Sequence, residues 1–346
     1  MAIRVFVVDD SALMRETLKY LLESEREIDL VGSAPNPLLA APLLRARQPD
    51  VLLLDIEMPG MDGLTFLRQI MRESPIATVI CSTLTEAGSQ MALDALACGA
   101  VAVVAKPRLG LRQFLEDSRV ELIRTIRTAS RARPRRSESP QRACVALRAD
   151  VGPSLAINKP VLIGSSTGGT QAIESVLLSL PADAPGLAIV QHMPERFTAM
   201  YAERLDQICA MNVREARDGD RVVRGLALIA PGGRHMQLRK SGAHYFVAVV
   251  DGPAVNRHKP SVDVLFRSAA ECAGRDALGI ILTGMGDDGA RGMKQMHDRG
   301  ARTLAQDEES CIVFGMPKEA IALGGVDEIL PLHRVAAAIL AFDLRG

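Results

Sequence analysis

The feature that most constrains this chain is a rhythm of short, β-branched runs that end in polar or glycine-rich turns and are spaced by segments of helical length. From Ile3 to about Arg127 the runs are "IRVFVVDD", "DVLLLDIEMPG", "ATVICSTLT" and "AVAVVAKP". Strands separated by helices of that length imply a parallel sheet with right-handed crossovers. After position 157 the theme returns in "KPVLIGSS", "GLAIVQHMP", "GLALIAPGG", "LGIILTGMGDDG" and "ARTLAQD", with helical patterns such as "PSVDVLFRSAAECAG" between several of them. The prediction is α/β throughout, as two mainly parallel sheets in two domains, which also suits a chain of 346 residues.

Between the halves the text changes character. Arg124 to Arg148 reads "RTIRTASRARPRRSESPQRACVALR", with eight arginines against the single acid Glu138 and two prolines. Without interleaved aromatics this reads as a solvated linker rather than a nucleic-acid site. The expected division is therefore a first domain over 1–125, a linker over 126–156 and a second domain over 157–346. Formal net charge is zero, so no whole-protein field draws the molecule to nucleic acid or an anionic membrane. No apolar run approaches the roughly 20 residues a spanning helix needs, and a cytoplasmic protein without membrane insertion is expected. The six cysteines lack CxxC spacing, which suggests neither a disulfide framework nor a zinc site.

Chemistry in the first half gathers at strand ends. Asp9 and Asp10 close the first predicted strand, Asp55 the third, Ser82 the fourth, and Lys106 follows the fifth. In a parallel sheet these converge on the carboxyl edge, where open α/β sheets place their sites. A single strand-end aspartate reads as a helix cap; five side chains on four strand ends form a far more specific pattern. Crowded carboxylates repel unless a hard cation joins them, and Mg²⁺ takes such oxygen ligands.

At these residues the sequence resembles the receiver domain of two-component response regulators, over roughly the first 125 positions. "VVDD", "LLLDIEMPGMDG", "CST" and "AKP" sit where that family has its acidic pair, phospho-acceptor, switch hydroxyl and lysine. The resemblance implies a flavodoxin-like strand order 2-1-3-4-5, phosphate accepted by Asp55 from a histidine kinase, and Mg²⁺ held by Asp9, Asp10 and Asp55. It also implies Lys106 on the phosphoryl group and Ser82 moving toward it. One departure is Val103, where receivers often carry a rotating Tyr or Phe.

In the second half, Gly164-Ser165-Ser166-Thr167-Gly168 fits G-x-S-x-G, which exposes a serine on a sharp strand-to-helix turn. Such a serine needs a base and the base an orienting acid. His192 follows the apolar run "GLAIVQ", and Asp287 and Asp288 follow "IILTGMG", so both lie at strand ends. His235 and His258 are expected in loops without that placement. A hydrolase order of serine, acid, then histidine would instead pair Ser166 and Asp288 with His297 or His333. A phosphate cradle is the competing reading of the turn, but the Gly-Lys-Ser/Thr of a phosphate loop is missing.

"GSSTGGTQAI", "QHMPERFTAMYAERL", "IAPGGRHM", "DGPAVNRHKPSVDVLF", "ILTGMGDDGARGM" and "CIVFGMPKEAI", behind a receiver and linker, are similar to the chemotaxis protein-glutamate methylesterase/deamidase (CheB-type) family over nearly the whole chain. The resemblance implies hydrolysis of glutamate methyl esters on chemoreceptor cytoplasmic domains with release of methanol, deamidation of receptor glutamines, and activation by the chemotaxis kinase. It selects Ser166 over Ser165 as nucleophile, His192 as base and Asp288 over Asp287 as acid. The backbone N–H groups of Thr167 and Met285 are the expected oxyanion donors, and the esterase chemistry needs no cofactor. The alternative is a response regulator whose second half only binds a ligand or partner.

Overall fold

The computed structural model describes residues 2–58, 63–82, 86–106, 112–134 and 159–344; most of the arginine-rich segment, with Cys144, lies outside them. Two compact units divide the chain, Met1–Pro140 and Gln141–Gly346.

The first unit contains β1 (Ile3–Val8), β2 (Ile28–Ala34), β3 (Val51–Asp55), β4 (Ala77–Ser82) and β5 (Ala102–Ala105), in the order β2-β1-β3-β4-β5. Every pair is parallel, which gives the flavodoxin-like order expected. Central strands of such a sheet are covered on both faces, and β3 and β4 are buried along their whole length. The last helix, Arg112–Ala129, continues past position 125. Leu122, Ile123, Ile126 and Ala129 recur on one helical face and join the core, so packing carries the helix into the segment read from composition as linker.

The second unit holds a seven-stranded parallel sheet made of β6 (Val161–Ser165), β7 (Leu187–Gln191), β8 (Asn212–Glu215), β9 (Leu226–Ile229), β12 (Leu278–Ile281), β13 (Arg302–Gln306) and β14 (Glu328–Leu330). Beside it lies an antiparallel hairpin of β10 (His235–Ser241) and β11 (His244–Val250). The sheet order is β14-β13-β12-β6-β7-β9-β8, stepping outward from β6 through β12, β13 and β14 on one side, while on the other β9 returns to lie between β7 and the edge strand β8. Its central strands β12, β6 and β7 are fully buried, as the apolar runs predict. The short edge strands β8 and β14 carry no such run, whereas β11 of the hairpin does, in Tyr245–Val250. Gly242 opens the two-residue hairpin turn at φ +57, where a side chain would be strained.

One helix ties the hairpin to the sheet. Val262–Cys272 buries Leu265, Phe266 and Ala269 in a cluster with Met236, Leu238, Tyr245 and Val247 of the hairpin and Leu162 and Val190 of the sheet. Burying Leu265 and Phe266 contributes roughly 2 kcal/mol each, and the helix N-terminus is held rigidly beside the end of β12.

Candidate functional site

At the carboxyl edge of the first sheet, Asp9 and Asp55 are buried and Asp10 is exposed. One carboxylate oxygen from each lies within 4.8 Å of the others. Lys106 Nζ donates to Asp55 Oδ2 at 2.6 Å and stands 3.1 Å from Asp9 Oδ2. That second approach is a charge pairing off the line of a hydrogen bond, and Asp9 Oδ2 remains buried without a hydrogen-bond partner. Burial raises the Asp9 carboxyl above its ordinary value despite Lys106, and the Asp55 charge adds to the rise. Burial works against the Lys106 charge, but the hydrogen bond and charge of Asp55, then Asp9, outweigh it and raise its pKa. An anionic cluster with an unsatisfied buried oxygen and all-oxygen donors fits a hard divalent cation such as Mg²⁺.

Ser82 is buried at the end of β4, and its carbonyl accepts from the Lys106 N–H at 2.9 Å. Val103 is half-buried in β5, paired in register with Ile80. Next to Ser82, burial pushes the Cys81 thiol up to about 12, leaving it a small hydrophobe at neutral pH.

In the second unit three neighbouring strands, β12, β6 and β7, deliver Asp288, Ser166 and His192 to one sheet edge. The order reverses there, and such switch points are where open α/β sheets bind ligands. Backbone bonds splice the ends together: His192 N–H donates to Ser165 O at 3.1 Å and Ser166 N–H to Thr283 O at 3.0 Å. Gly168 takes φ +76 before helix Gly169–Leu178, the sharp strand-to-helix turn that G-x-S-x-G encodes. At Gly284 a Cβ would fall 2.8 Å from Ser166 Cβ, so the loop after β12 lies directly on the serine.

The two serines part company here. Ser165 is fully buried and its Oγ donates to Gln191 Oε1 at 2.6 Å. Gln191 Nε2 in turn donates to Ser166 O and His192 O, at 2.9 and 3.1 Å, clasping the serine turn to the histidine strand. Ser166 is partly exposed, and among the described residues its hydroxyl has no hydrogen-bond partner. Nor does any described acceptor take the Thr167 N–H. The Gly169 N–H is turned inward onto Ser166 O at 2.8 Å, which removes one donor a phosphate cradle would use.

His192 Nε2 donates to Asp288 Oδ2 at 2.8 Å. With that nitrogen engaged, Nδ1 is buried and free of any hydrogen bond, so the imidazole keeps an unclaimed lone pair. Asp288 sits at the N-terminus of helix Val262–Cys272, accepting from Ser261 Oγ at 2.7 Å, Val262 N–H at 2.7 Å and Asp263 N–H at 3.3 Å. Asn256 Nδ2 supplies a further bond at 2.8 Å. Burial alone would lift this carboxyl, but the hydrogen bond and charge of His192, with Ser261 and Asn256, hold it well below the usual carboxylate range. A helix N-terminus favours the same ionised state.

Asp287 is exposed. His297 lies on the surface beside Asp298 and Asp327, and His333 is exposed, so the alternative order has no assembled partner. Two expectations need correction. His235 is a buried residue opening β10, its Nε2 donating to Pro253 O at 3.0 Å and its Nδ1 accepting from Ser261 N–H at 3.2 Å. His258 does lie in a loop, but that loop folds over the site and stacks the ring on His192, with centroids 3.7 Å apart and planes 9° from parallel. Strand-end reasoning misses Asn256, Ser261 and Gln191 as well. Ser261, just before a helical pattern, carries an N-cap signal, but nothing local shows that its oxygen faces Asp288.

Comparison with known proteins places these sites in context. A family model described as CheB methylesterase matches residues 161–339, and one described as response regulator receiver domain matches residues 5–117. A protein-glutamate methylesterase/protein-glutamine glutaminase of Dechloromonas aromatica is 57% identical, the match covering 98% of each chain. One from Chromobacterium violaceum is 54% identical, over 97% of this chain and 98% of its own. The crystal structure of the Thermotoga maritima CheB methylesterase catalytic domain is 37% identical at a TM-score of 0.52, covering 53% of this chain and 98% of that one.

Proposed function

Because the chain belongs to the CheB methylesterase family and carries a response regulator receiver domain, it is a chemotaxis protein-glutamate methylesterase/protein-glutamine glutaminase, and we propose that it works through Ser166, His192 and Asp288 under the control of phosphorylation at Asp55. The observation that carries this reading is the His192–Asp288 bond, which leaves a buried, unclaimed Nδ1 in a site that also contains an unclaimed serine hydroxyl.

Ser166 Oγ attacks the γ-carbonyl of a methylated receptor glutamate while His192 Nδ1 takes its proton. Nε2 keeps its bond to Asp288, whose ionised carboxylate stabilises the imidazolium. The new oxyanion accepts from the Thr167 and Met285 N–H groups, where one aimed donor is typically worth about 3 kcal/mol. Collapse breaks the C–O bond, and Nδ1 returns the proton to the departing methoxide as methanol. Water then attacks the acyl-enzyme, giving its proton to Nδ1, and Ser166 is regenerated with a free glutamate carboxylate. With glutamine the same steps expel ammonia.

In the receiver, Asp55 accepts the phosphoryl group from a chemotaxis histidine kinase, and Asp9, Asp10 and Asp55 would hold Mg²⁺, which would supply charge neutralisation to the phosphoryl oxygens. Lys106 exchanges its pairing with the Asp55 carboxylate for one with the phosphoryl group, and Ser82 supplies a hydroxyl to it. The added charge is the switch input, transmitted without an aromatic at Val103. This reading extends the receiver from 125 to Ala129, where its last helix ends, and assigns the segment from there to 156 to the linker and 157–346 to the esterase. Its substrates are chemoreceptor cytoplasmic domains, which puts the enzyme in the cytoplasm; no helix among the described residues is long and apolar enough to cross a membrane.

The test is methanol release from methylated receptor membranes, with a phosphodonor and Mg²⁺, by the intact protein and by Ser166→Ala. Release that requires Ser166 is expected; release that survives its loss removes the triad.

A further inference from the structure

We propose that the turn at Asn256–Arg257 is a positioning device for the acid–base pair, its Asn256 end fixing the Asp288 carboxylate and its His258 end fixing the His192 ring. The proposal rests on the triad reading above. Val255 and His258 exchange both backbone hydrogen bonds, at 3.1 and 2.9 Å, closing a two-residue turn. Asn256 and Arg257 between them take φ +50 and +67. A turn with both central residues left-handed suits asparagine and disfavours arginine. Such a backbone persists only where its surroundings over-determine it.

What the turn holds accounts for its persistence. The Asn256 amide donates at 2.8 Å to Asp288 Oδ1 and at 2.8 Å to Asp263 Oδ2. Asp263 is itself pinned by the Gly292 N–H at 2.7 Å and Arg267 at 2.9 Å. One amide thus spans the carboxylate of the site and a second, buried carboxylate anchored in the first helical turn. Two residues on, the His258 ring lies face to face with His192 at 3.7 Å. Face contact leaves both edge nitrogens of His192 for in-plane work, Nε2 bonded to Asp288 and Nδ1 without a hydrogen bond, the nitrogen to which the triad reading assigns the serine proton. Rotation of the His192 ring about its Cβ–Cγ bond would break the stack, so the ring is held in the plane that general-base chemistry needs.

The experiment uses the full chain with a phosphodonor, Mg²⁺ and methylated receptor membranes. It compares Asn256→Gly, which keeps the left-handed backbone but deletes the amide, with His258→Ala and His258→Phe. A misplacement of about 1 Å at a reacting group can lower activity about 10²-fold. That loss is expected in kcat for Asn256→Gly and His258→Ala, with KM within about twofold of the parent. His258→Phe restores a flat ring and recovers most of the loss. The downfield proton resonance of the His192 Nε2–H bond to Asp288 persists in the parent and in His258→Phe, and broadens in His258→Ala. Should His258→Ala fail to fold, Asn256→Gly and His258→Phe still give the kcat and spectroscopic readouts. Parent-level kcat in Asn256→Gly or His258→Ala, or a His258→Phe enzyme no better than His258→Ala, overturns the positioning role. Ser166→Ala, run alongside, separates the two readings: if it is active, the triad itself falls.

Discussion

Two adjacent serines on one turn serve different ends because the backbone sends their side chains to opposite sides of the strand end. Ser165 faces the interior and is spent on Gln191; Ser166 is partly exposed. Ser165→Ala would strand the buried Gln191 carbonyl, costing about 1–3 kcal/mol of stability, yet should retain most hydrolysis. Ser166→Ala should retain the fold and lose at least about 10³-fold in kcat. Urea unfolding and methanol release, run on both, distinguish them. Asp288 carries a pH prediction. Its carboxyl is held below the ordinary value of 3.8, so the folded state favours the ionised form. That contribution is complete above the unfolded value and is lost as pH falls below it. The urea midpoint of Asp288→Asn should therefore trail the parent most near neutral pH, and the gap should narrow below about pH 4; a gap independent of pH would refute the linkage.

At the level of elements, much of both sites could be read from the sequence because the chemistry sits where apolar runs stop. Asp9, Ser166, His192 and Asp288 come after largely buried strands, Asp55 ends one, and Lys106 follows the half-buried β5; parallel pairing carries these strand ends to one edge. The supporting residues escaped that logic. Asn256 and His258 lie on a loop with no periodicity, and Gln191 looks like the last residue of a strand; only tertiary contact shows what they hold. Strands β8 and β14 were hidden for a different reason, since half-exposed edges need no apolar run. The close seat of the β12 loop on the serine gives a test at this scale. A methyl group at Gly284 would meet Ser166 Cβ at 2.8 Å and Met316 Sδ at 2.3 Å. Met316 is fully buried and the Ser166 backbone N stands 3.0 Å from that methyl, so neither side yields easily. Gly284→Ala should displace Ser166, the proposed nucleophile, and reduce kcat about 10²-fold, with KM little changed in steady-state assays.

For the whole molecule, two units with separate cores should be separable. The chain 157–346, expressed alone, should unfold cooperatively and hydrolyse ester at a rate indifferent to phosphodonor. In the intact protein, Asp55→Asn should reduce the ratio of stimulated to unstimulated methanol release to one; undiminished stimulation would move the phosphorylation site elsewhere. The placement of β12 against β6 also acts in time. His192 and Asp288 stand 96 positions apart, and the loop bearing the acid closes on a strand synthesised far earlier. At about 5–20 residues per second, roughly 5–20 s of translation separate the two residues. A nascent chain therefore carries its serine and histidine through that interval without the carboxylate that bonds the His192 ring. On the proposed triad, full hydrolytic competence arrives only after Asp288 is made, and a fragment that stops before it should hydrolyse ester far more slowly than the whole chain.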